Sequence, residues 1–357
     1  MRAVVHEEVL AAGGFALVID EELIGGCSVR RLYLLEPPSV EMLVQTEVRL
    51  AVSGEPLAAE LRFEYHRAML SALLTNGWAA GCPLAAPVRM LCLGLGGGAL
   101  PSWLARAFPS ACVHVAELHA ELLPIARTYF GLPCTPPGCP EPSHASDISP
   151  AFGGGVFVHI GCARELLLRL RVENAQHRRV YSPIFVDVSA PSSDVQFAAP
   201  GASLLTDESL AALRALCGNG GMVALNLLLA KCAQPRAGAP QPESDTSGRA
   251  RKRARLPANG GGALGAVDSS PHGIVPSGGR VGALVARLRR HFARVWVWPL
   301  GADGGAGAAN CVIFCASASL SADAELELAA VRLGRAGAER RVVDAASLIA
   351  AAKNADG

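Results

Sequence analysis

The stretch that decides the fold is Leu91-Cys92-Leu93-Gly94-Leu95-Gly96-Gly97-Gly98-Ala99-Leu100. Apolar residues typical of a buried strand lead directly into a glycine turn, and the pattern predicts a helix just after it. Glycine lets the backbone turn sharply and approach a ligand closely, and the N-terminal end of a helix favours polar groups of that ligand. The stretch therefore predicts a ligand-binding turn between a strand and a helix.

The next predicted strand ends in an acidic residue, Glu117, which lies 19 positions after Gly98. An acid at the tip of the second strand holds the ribose hydroxyls of a bound nucleoside. The alternative is an ordinary tight turn followed by a surface glutamate, but the order strand, glycine turn, helix, strand and acid favours a nucleoside site. The glycine spacing is G-x-G-G-G and not G-x-G-x-x-G. Because methyltransferases bind no pyrophosphate, this spacing favours an S-adenosylmethionine enzyme over a dinucleotide oxidoreductase.

Strands and helices alternate on both sides of this unit. The predicted strands are 88–93, 112–117, 156–160, 181–188 and 221–229, and the predicted helices are 100–108, 121–129, 163–170 and 207–217. Such alternation implies parallel strands joined by right-handed crossovers. A helix at 282–292 and a late hairpin of 294–299 and 311–316 would then close the sheet with an antiparallel strand. The predicted fold is an α/β, Rossmann-like, doubly wound and mostly parallel sheet.

The prediction divides the chain into three parts. Residues 1–84 are an N-terminal β-rich segment, with strands at 15–20, 28–35 and 42–52 and a helix at 56–74. Residues 85–320 form the cofactor-binding domain, and residues 321–357 form a helical tail. Within the domain, residues 231–280 are rich in Gly, Pro, Ser and Ala, which predicts a disordered basic insertion.

Composition excludes several classes of protein. The 32 Lys and Arg residues nearly balance the 31 Asp and Glu residues, so a generally basic nucleic-acid coat is excluded. No apolar run reaches the roughly 18 to 20 residues of a membrane helix, and the N-terminus is not typical of a secretory signal. The 11 cysteines are scattered, so we expect no metal site and reduced thiols in a cytoplasmic or nuclear protein. The basic block Arg249–Arg255 is open to three interpretations: a nuclear-import signal, an RNA-touching arm or a solvated insertion.

Several motifs resemble the spermidine-synthase-like class I methyltransferases. They are LGLGGGALP at 93–101, VAEL at 115–118, ARTYFG at 126–131, IFVDV at 184–188 and GGMVALNL at 220–227. Within that group the chain most resembles the C-terminal catalytic domains of the elongation factor 1-alpha lysine and N-terminal methyltransferases. The resemblance covers roughly residues 65–315, without the basic insertion. It implies transfer of the methyl group of S-adenosylmethionine to a protein amine, with a translation elongation factor as a candidate substrate and no membrane partner.

The resemblance also implies roles for individual residues. Gly94, Leu95, Gly96, Gly97 and Gly98 form the cofactor loop, Glu117 binds the ribose, and Cys162 and Ala163 face the adenine. Asp187, after the fourth strand, is the catalytic residue that orients the acceptor, although it could instead only fix the end of that strand. The pair Tyr65 and His66 belongs at the substrate entrance, although His66 could instead make a single structural hydrogen bond.

Two departures from the family pattern leave alternatives open. Relatives usually carry an aspartate where this chain has His119, and another where it has Cys162, and a thiol is a poor acceptor for the adenine amino group. Asp147 could substitute for the latter. One alternative is therefore a catalytically degenerate binding module of the same fold. The other is a spermidine-synthase-like aminopropyltransferase, which is disfavoured because relatives of that type carry an aspartate in the glycine loop, near the position of Ala99. The likeness also suggests a missing upstream domain.

Overall fold

The structure is a computed structural model that describes residues 2–11, 13–23, 25–35, 43–57, 60–75, 88–133, 154–177, 180–189, 197–229, 279–300 and 310–317. The predicted tail 321–357, Asp147 and the basic block 249–255 lie outside these residues. So does the predicted insertion, except that Gly279 and Arg280 at its end already belong to a helix.

The N-terminal part is an antiparallel sheet of four strands in chain order. The strands are β1 (Arg2–Val9), β2 (Phe15–Glu22), β3 (Ser28–Leu35) and β4 (Leu43–Arg49). The first of them was not predicted, because this edge strand is mostly exposed and carries no alternation of apolar and polar residues. The sheet is thus one strand larger than its hydrophobic pattern indicates.

Helix α1 spans Glu64–Thr75 and begins later than predicted. The preceding segment runs back along the sheet: the amide of Leu57 donates to the carbonyl of Arg49 at 2.7 Å, and Pro56 forms a bridge with Leu50. These contacts use the backbone in an extended form, so the helix predicted from residue 56 cannot start there.

The larger sheet carries the remaining strands, with helices between them. The strands are β5 (Arg89–Leu93), β6 (Cys112–Glu117), β7 (Gly155–Ile160), β8 (Ile184–Val186), β9 (Phe197–Ala199), β10 (Met222–Leu229), β11 (Arg294–Pro299) and β12 (Asn310–Ala316). The helices are α2 (Ala99–Ala107), α3 (Leu122–Phe130), α4 (Ala163–His177), α5 (Asp207–Cys217) and α6 (Gly279–Leu288). The short strand β9, which pairs with β10, was not predicted.

The strand order is β11-β12-β10-β8-β5-β6-β7, with β10, β8, β5, β6 and β7 parallel and β12 antiparallel to its neighbours. The chain runs from β5 outward to β7 and then returns to β8 on the other side of β5. Ligands of open α/β sheets bind at such a switch point, outside the carboxyl ends of the strands. The topology confirms the predicted Rossmann-like, mostly parallel fold with an antiparallel strand near one edge.

Apolar helix faces cover both sides of this sheet. Helices α4, α5 and α6 contribute Leu167, Leu213 and Leu288 to the core on one face. Helices α1 and α2 contribute Met69 and Leu104 to the core on the other face. Strands that are buried on both faces read as continuous apolar runs, which is why β5 and β6 were recognised from the sequence.

The N-terminal sheet packs against helix α3. Ala16, Val18 and Leu32 from the sheet form one apolar cluster with Ile125 and Phe130 of the helix. The small sheet therefore lies beside the carboxyl ends of β5 and β6, where the glycine turn is located.

Candidate active site

The glycine turn joins β5 to α2, and three of its glycines have the left-handed backbone angles that side chains oppose. The φ values are +104° at Gly94, +53° at Gly96 and +79° at Gly98. At Gly94 an added Cβ would lie 2.0 Å from the backbone oxygen of Asp187. Glycine is required there because β5 and β8 end side by side, with the amide of Asp187 donating to the carbonyl of Leu93 at 2.8 Å.

The backbone amides of this turn are already hydrogen-bonded within the protein. Gly94 N donates to Ala116 O at 3.0 Å, Leu95 N to Glu117 Oε2 at 3.2 Å, Gly97 N to Thr46 Oγ1 at 2.8 Å and Gly98 N to Leu95 O at 2.8 Å. A pyrophosphate is held by free amides of such a turn. With the amides of Gly94, Leu95, Gly97 and Gly98 engaged, the turn suits a nucleoside cofactor that lacks a pyrophosphate.

Glu117 ends β6 and is buried beneath the turn, with 6% of its surface exposed. Its Oε2 accepts the amide of Leu95, and its Oε1 accepts the amide of His119 at 2.8 Å. Burial raises the pKa of this carboxyl above its ordinary value, and the amide hydrogen bonds partly offset that effect. Each carboxylate oxygen has a second lone pair, so Glu117 can still accept the hydroxyls of a ribose.

An open cleft of about 230 Å³ lies over the ends of the parallel strands. It collects residues that are far apart in the sequence. Among the predicted site residues, those that line it are Gly94, Gly96, Glu117, Cys162, Ala163 and Asp187. The predicted loop residues Leu95, Gly97 and Gly98 shape the turn. The structure therefore brings the predicted cofactor loop, ribose acid, adenine-facing pair and catalytic acid to one place.

Cys162 is partly exposed in this cleft and directly precedes α4. It is therefore not a core thiol. His119 also lines the cleft, at the position where relatives carry an aspartate. Neither Cys162 nor His119 supplies a carboxylate. Among the described residues that line the cleft, the acids are Glu117 and Asp187.

Asp187 lies just beyond β8, and two side chains hold its carboxylate. The Nε2 atom of His66 is 3.0 Å from Oδ2, and Nδ2 of Asn226 donates to Oδ1 at 2.9 Å. Burial, together with the Asp187 charge, raises the pKa of the neighbouring Tyr65 well above its ordinary value. The contacts with His66 and Asn226 give the Asp187 carboxylate a defined orientation at the edge of the cleft.

Of the two interpretations given for His66, the geometry is the one expected for a structural hydrogen bond. The residue is 4% exposed on α1, and its Nε2 atom contacts Asp187. The ring of Tyr65 lies beside that of His66, with ring centroids 4.2 Å apart and ring planes tilted by 53°. The pair supports the acid at the cleft edge from the interior.

Sequence reasoning missed two residues that contact the predicted site. Asn226 is a buried amide in β10, and a polar residue inside the apolar run MVALNLLL could have indicated it. Thr46 is a buried hydroxyl in β4 that reaches the glycine turn from a different sheet. No local pattern could have indicated Thr46, because its partner is 51 residues away.

Two features are absent from the residues that the structure describes. No group of three or more His, Cys, Asp or Glu side chains there is arranged to hold a metal ion. No helix in the same ranges has both the length and the apolar character needed to span a membrane.

The chain has a Rossmann-like domain with a cleft at the switch point of its sheet, and its sequence motifs resemble those of the spermidine-synthase-like group of S-adenosylmethionine-dependent methyltransferases. No protein-family profile matches it.

Comparison with known proteins points to the same group. The chain is 28% identical over 167 residues to the eEF1A lysine and N-terminal methyltransferase of Bos taurus, a match that covers 46% of this chain and 21% of that protein. It is 26% identical over 172 residues to the polyamine aminopropyltransferase of Vibrio vulnificus, covering 48% of this chain and 46% of that protein. Human methyltransferase-like protein 13, solved in complex with SAH, aligns with a TM-score of 0.49 and 19% identity over 79% of this chain and 93% of that chain. The chain thus spans about a fifth of the bovine relative's length and under half of the bacterial one's.

Proposed function

We propose that this chain is an S-adenosylmethionine-dependent methyltransferase that acts on a protein amine, either a lysine or an N-terminal amine. One observation carries the proposal: the glycine turn, Glu117 and Asp187 meet in a single cleft at the switch point of the sheet. The engaged amides of Gly94, Leu95, Gly97 and Gly98 support a nucleoside cofactor over a dinucleotide. Glu117 is the proposed ribose ligand, Cys162 and Ala163 are the proposed adenine neighbours, and Asp187 is the proposed catalytic residue.

In the proposed reaction the protein mainly has to align the substrate amine with the methyl group of the cofactor. Bound S-adenosylmethionine would supply a methyl group on a sulfonium, which is already a good leaving group. An amine must be neutral to attack. The protein therefore needs a hydrogen-bond acceptor for one N–H bond of the substrate amine, and a path by which the proton of that amine reaches solvent. Asp187 meets the first need, because Asn226 and His66 hold its two oxygens at 2.9 and 3.0 Å. The cleft is open, so solvent can take the proton.

A translation elongation factor is the proposed substrate. The support is the name of the bovine relative, which describes action on eEF1A, and the sequence resemblance to that group. The proposed reaction then takes place in the cytoplasm. Entry into the nucleus through Arg249–Arg255, and contact of that block with nucleic acid, stay predictions.

Aminopropyl transfer is the second candidate, favoured by the match to the bacterial aminopropyltransferase. In that reaction the acceptor is a polyamine, whose several charges call for several acids. Glu117 and Asp187 are the acids among the described residues of the cleft, and Glu117 is engaged by the turn. Ala99, at the start of α2, is neutral and buried. These features favour methyl transfer.

Calorimetry with the full chain tests the proposal before any acceptor is known. We expect binding of both S-adenosylmethionine and SAH, followed by transfer of a radiolabelled methyl group to purified elongation factor 1-alpha. Decarboxylated S-adenosylmethionine with putrescine is the matched assay for aminopropyl transfer. Absence of binding to both nucleosides would show a degenerate module, whereas product in the putrescine assay alone would establish the second candidate.

A further inference from the structure

Thr46 lies in the small N-terminal sheet, yet it contacts the glycine turn directly. Its Oγ1 accepts the amide of Gly97 at 2.8 Å and donates its own proton to the carbonyl of Gln45 at 2.8 Å. The side chain is 2% exposed. Because the hydroxyl proton is already used, the oxygen is oriented as an acceptor for Gly97.

The turn is also shaped to receive this side chain. A Cβ added at Gly97 would lie 2.9 Å from Cβ and Cγ2 of Thr46 and 3.0 Å from its Oγ1. A Cβ added at Gly96 would lie 3.2 Å from the same Oγ1. The absence of a side chain at Gly96 and Gly97 therefore leaves room for Thr46 as well as for a ligand.

An irregularity in β4 explains how a strand of the other sheet reaches the site. Tyr33 pairs with Val44 and Leu32 pairs with Thr46, so Gln45 is an extra residue in the β3–β4 ladder. A bulge of this kind re-aims neighbouring side chains. As a result two consecutive residues face the same site, since Gln45 lines the cleft while Thr46 contacts the turn.

We infer that the bulged segment of β4 is part of the cofactor site and that Thr46 is the positioning residue that holds the glycine turn in its binding conformation. This inference rests on the proposed S-adenosylmethionine function. The N-terminal sheet then contributes to cofactor binding, and its hold on the glycine turn passes through the Thr46 hydroxyl.

The matched pair Thr46→Ala and Thr46→Ser tests the inference, because both variants lack the methyl group and differ only in the hydroxyl. Leaving the buried amide of Gly97 without an acceptor should weaken SAH binding about tenfold in Thr46→Ala, while Thr46→Ser should stay within about threefold of the wild type. Calorimetry at one salt concentration gives both affinities. Amide exchange at Gly97, measured without cofactor, should be faster in the Ala variant only.

Val48→Ala is the control for a purely structural role, because Val48 lies in the same strand and is buried in the apolar cluster of the small sheet. It should lower the melting temperature and leave the SAH affinity unchanged. Native affinity in Thr46→Ala, or an equal loss in Val48→Ala, would overturn the inference. If the wild type bound no SAH, the proposed function would fail instead. Gly97 exchange would then still decide whether Thr46 holds the turn.

Discussion

At the scale of single residues, the site depends on two acids, the buried Glu117 and the partly exposed Asp187, whose surroundings set their behaviour. Glu117 and Asp187 both end parallel strands, but their partners differ. Backbone amides hold Glu117, whereas side chains from α1 and β10 hold Asp187. The first arrangement belongs to the turn that would bind a nucleoside, and the second orients a carboxylate toward a separate acceptor.

Glu117 makes the proposed cofactor affinity depend on pH. Its pKa is raised above 4.5 in the folded protein, mainly by burial. Only the ionised carboxylate accepts both ribose hydroxyls, so SAH affinity should fall on acidification with a midpoint above 4.5. Calorimetry between about pH 7 and about pH 5 measures this fall.

Glu117→Gln is the control, because it should bind SAH weakly and without that pH dependence. The effect of pH on stability has the opposite sign. Since the Glu117 carboxyl binds its proton more tightly in the folded state, the free energy of unfolding of the cofactor-free protein should fall as the pH rises from the ordinary pKa of this carboxyl to its raised pKa. A pH dependence of affinity that persists in Glu117→Gln would assign it to another group.

Cys162 is the residue whose replacement should improve the site. It is partly exposed in the cleft, so a carboxylate there keeps contact with solvent. Cys162→Asp should add an acceptor for the adenine amino group and tighten S-adenosylmethionine binding about tenfold. Titration of both proteins, with melting curves alongside, measures the effect. Lower stability without any gain in affinity would show that the adenine lies elsewhere.

At the scale of elements, the part of the cleft around Asp187, where the methyl acceptor is proposed to bind, is built from three separate parts of the fold. Helix α1 supplies Tyr65 and His66, the end of β8 supplies Asp187, and β10 supplies Asn226. Strands β8 and β10 are parallel neighbours, with Val186 opposite Leu225. The next residue on each strand is therefore Asp187 or Asn226, and the ladder itself places the amide beside the carboxylate.

Replacing Asn226 should separate catalysis from cofactor binding. Asn226→Leu keeps the size of the side chain but removes the donor to Oδ1 of Asp187. Methyl transfer should fall at least about tenfold, while SAH affinity stays within about threefold. Single-turnover assays and calorimetry measure the two quantities. Asn174→Leu makes the same chemical change on α4, where the amide bonds only Ala215 O among its described partners, and should leave both unchanged. Equal loss in both variants would refute a specific role for Asn226.

At the scale of the whole molecule, one continuous sheet with helices on both faces carries the site, and the small sheet covers one side of it. The small sheet is tied to the large unit by the cluster with α3, by the Thr46–Gly97 hydrogen bond and by Arg30, whose Nη1 donates to the carbonyl of Tyr129 at 3.2 Å. The Thr46–Gly97 contact lies at the glycine turn, whose residues Gly94 and Gly96 line the cleft. The domain boundary at residue 84 therefore stays a proposal. Residues from both sides of that boundary line the cleft.

The insertion predicted at 231–280 gives a test at this scale. It connects β10 to α6 and contains eight basic and three acidic residues, with few large apolar ones. Deleting Ala237–Pro271 should leave the melting temperature nearly unchanged, because such a composition cannot build a core. A drop of many degrees would show that the segment packs. Loss of nuclear accumulation in cells expressing the deleted protein would identify Arg249–Arg255 as an import signal.

The sequence by itself determined the alternation of strands and helices, the glycine turn and the acids that end β6 and β8. These features are local: a buried parallel strand is a continuous apolar run, and a turn with positive φ calls for glycine. Only the tertiary structure decided that Asn226 and His66 hold Asp187, that His66 is buried, and that Thr46 engages Gly97. Those contacts depend on strand order, on the packing of α1 and on one bulge in a separate sheet. Contacts between distant segments leave no periodic trace in the chain, so propensity and spacing could not predict them.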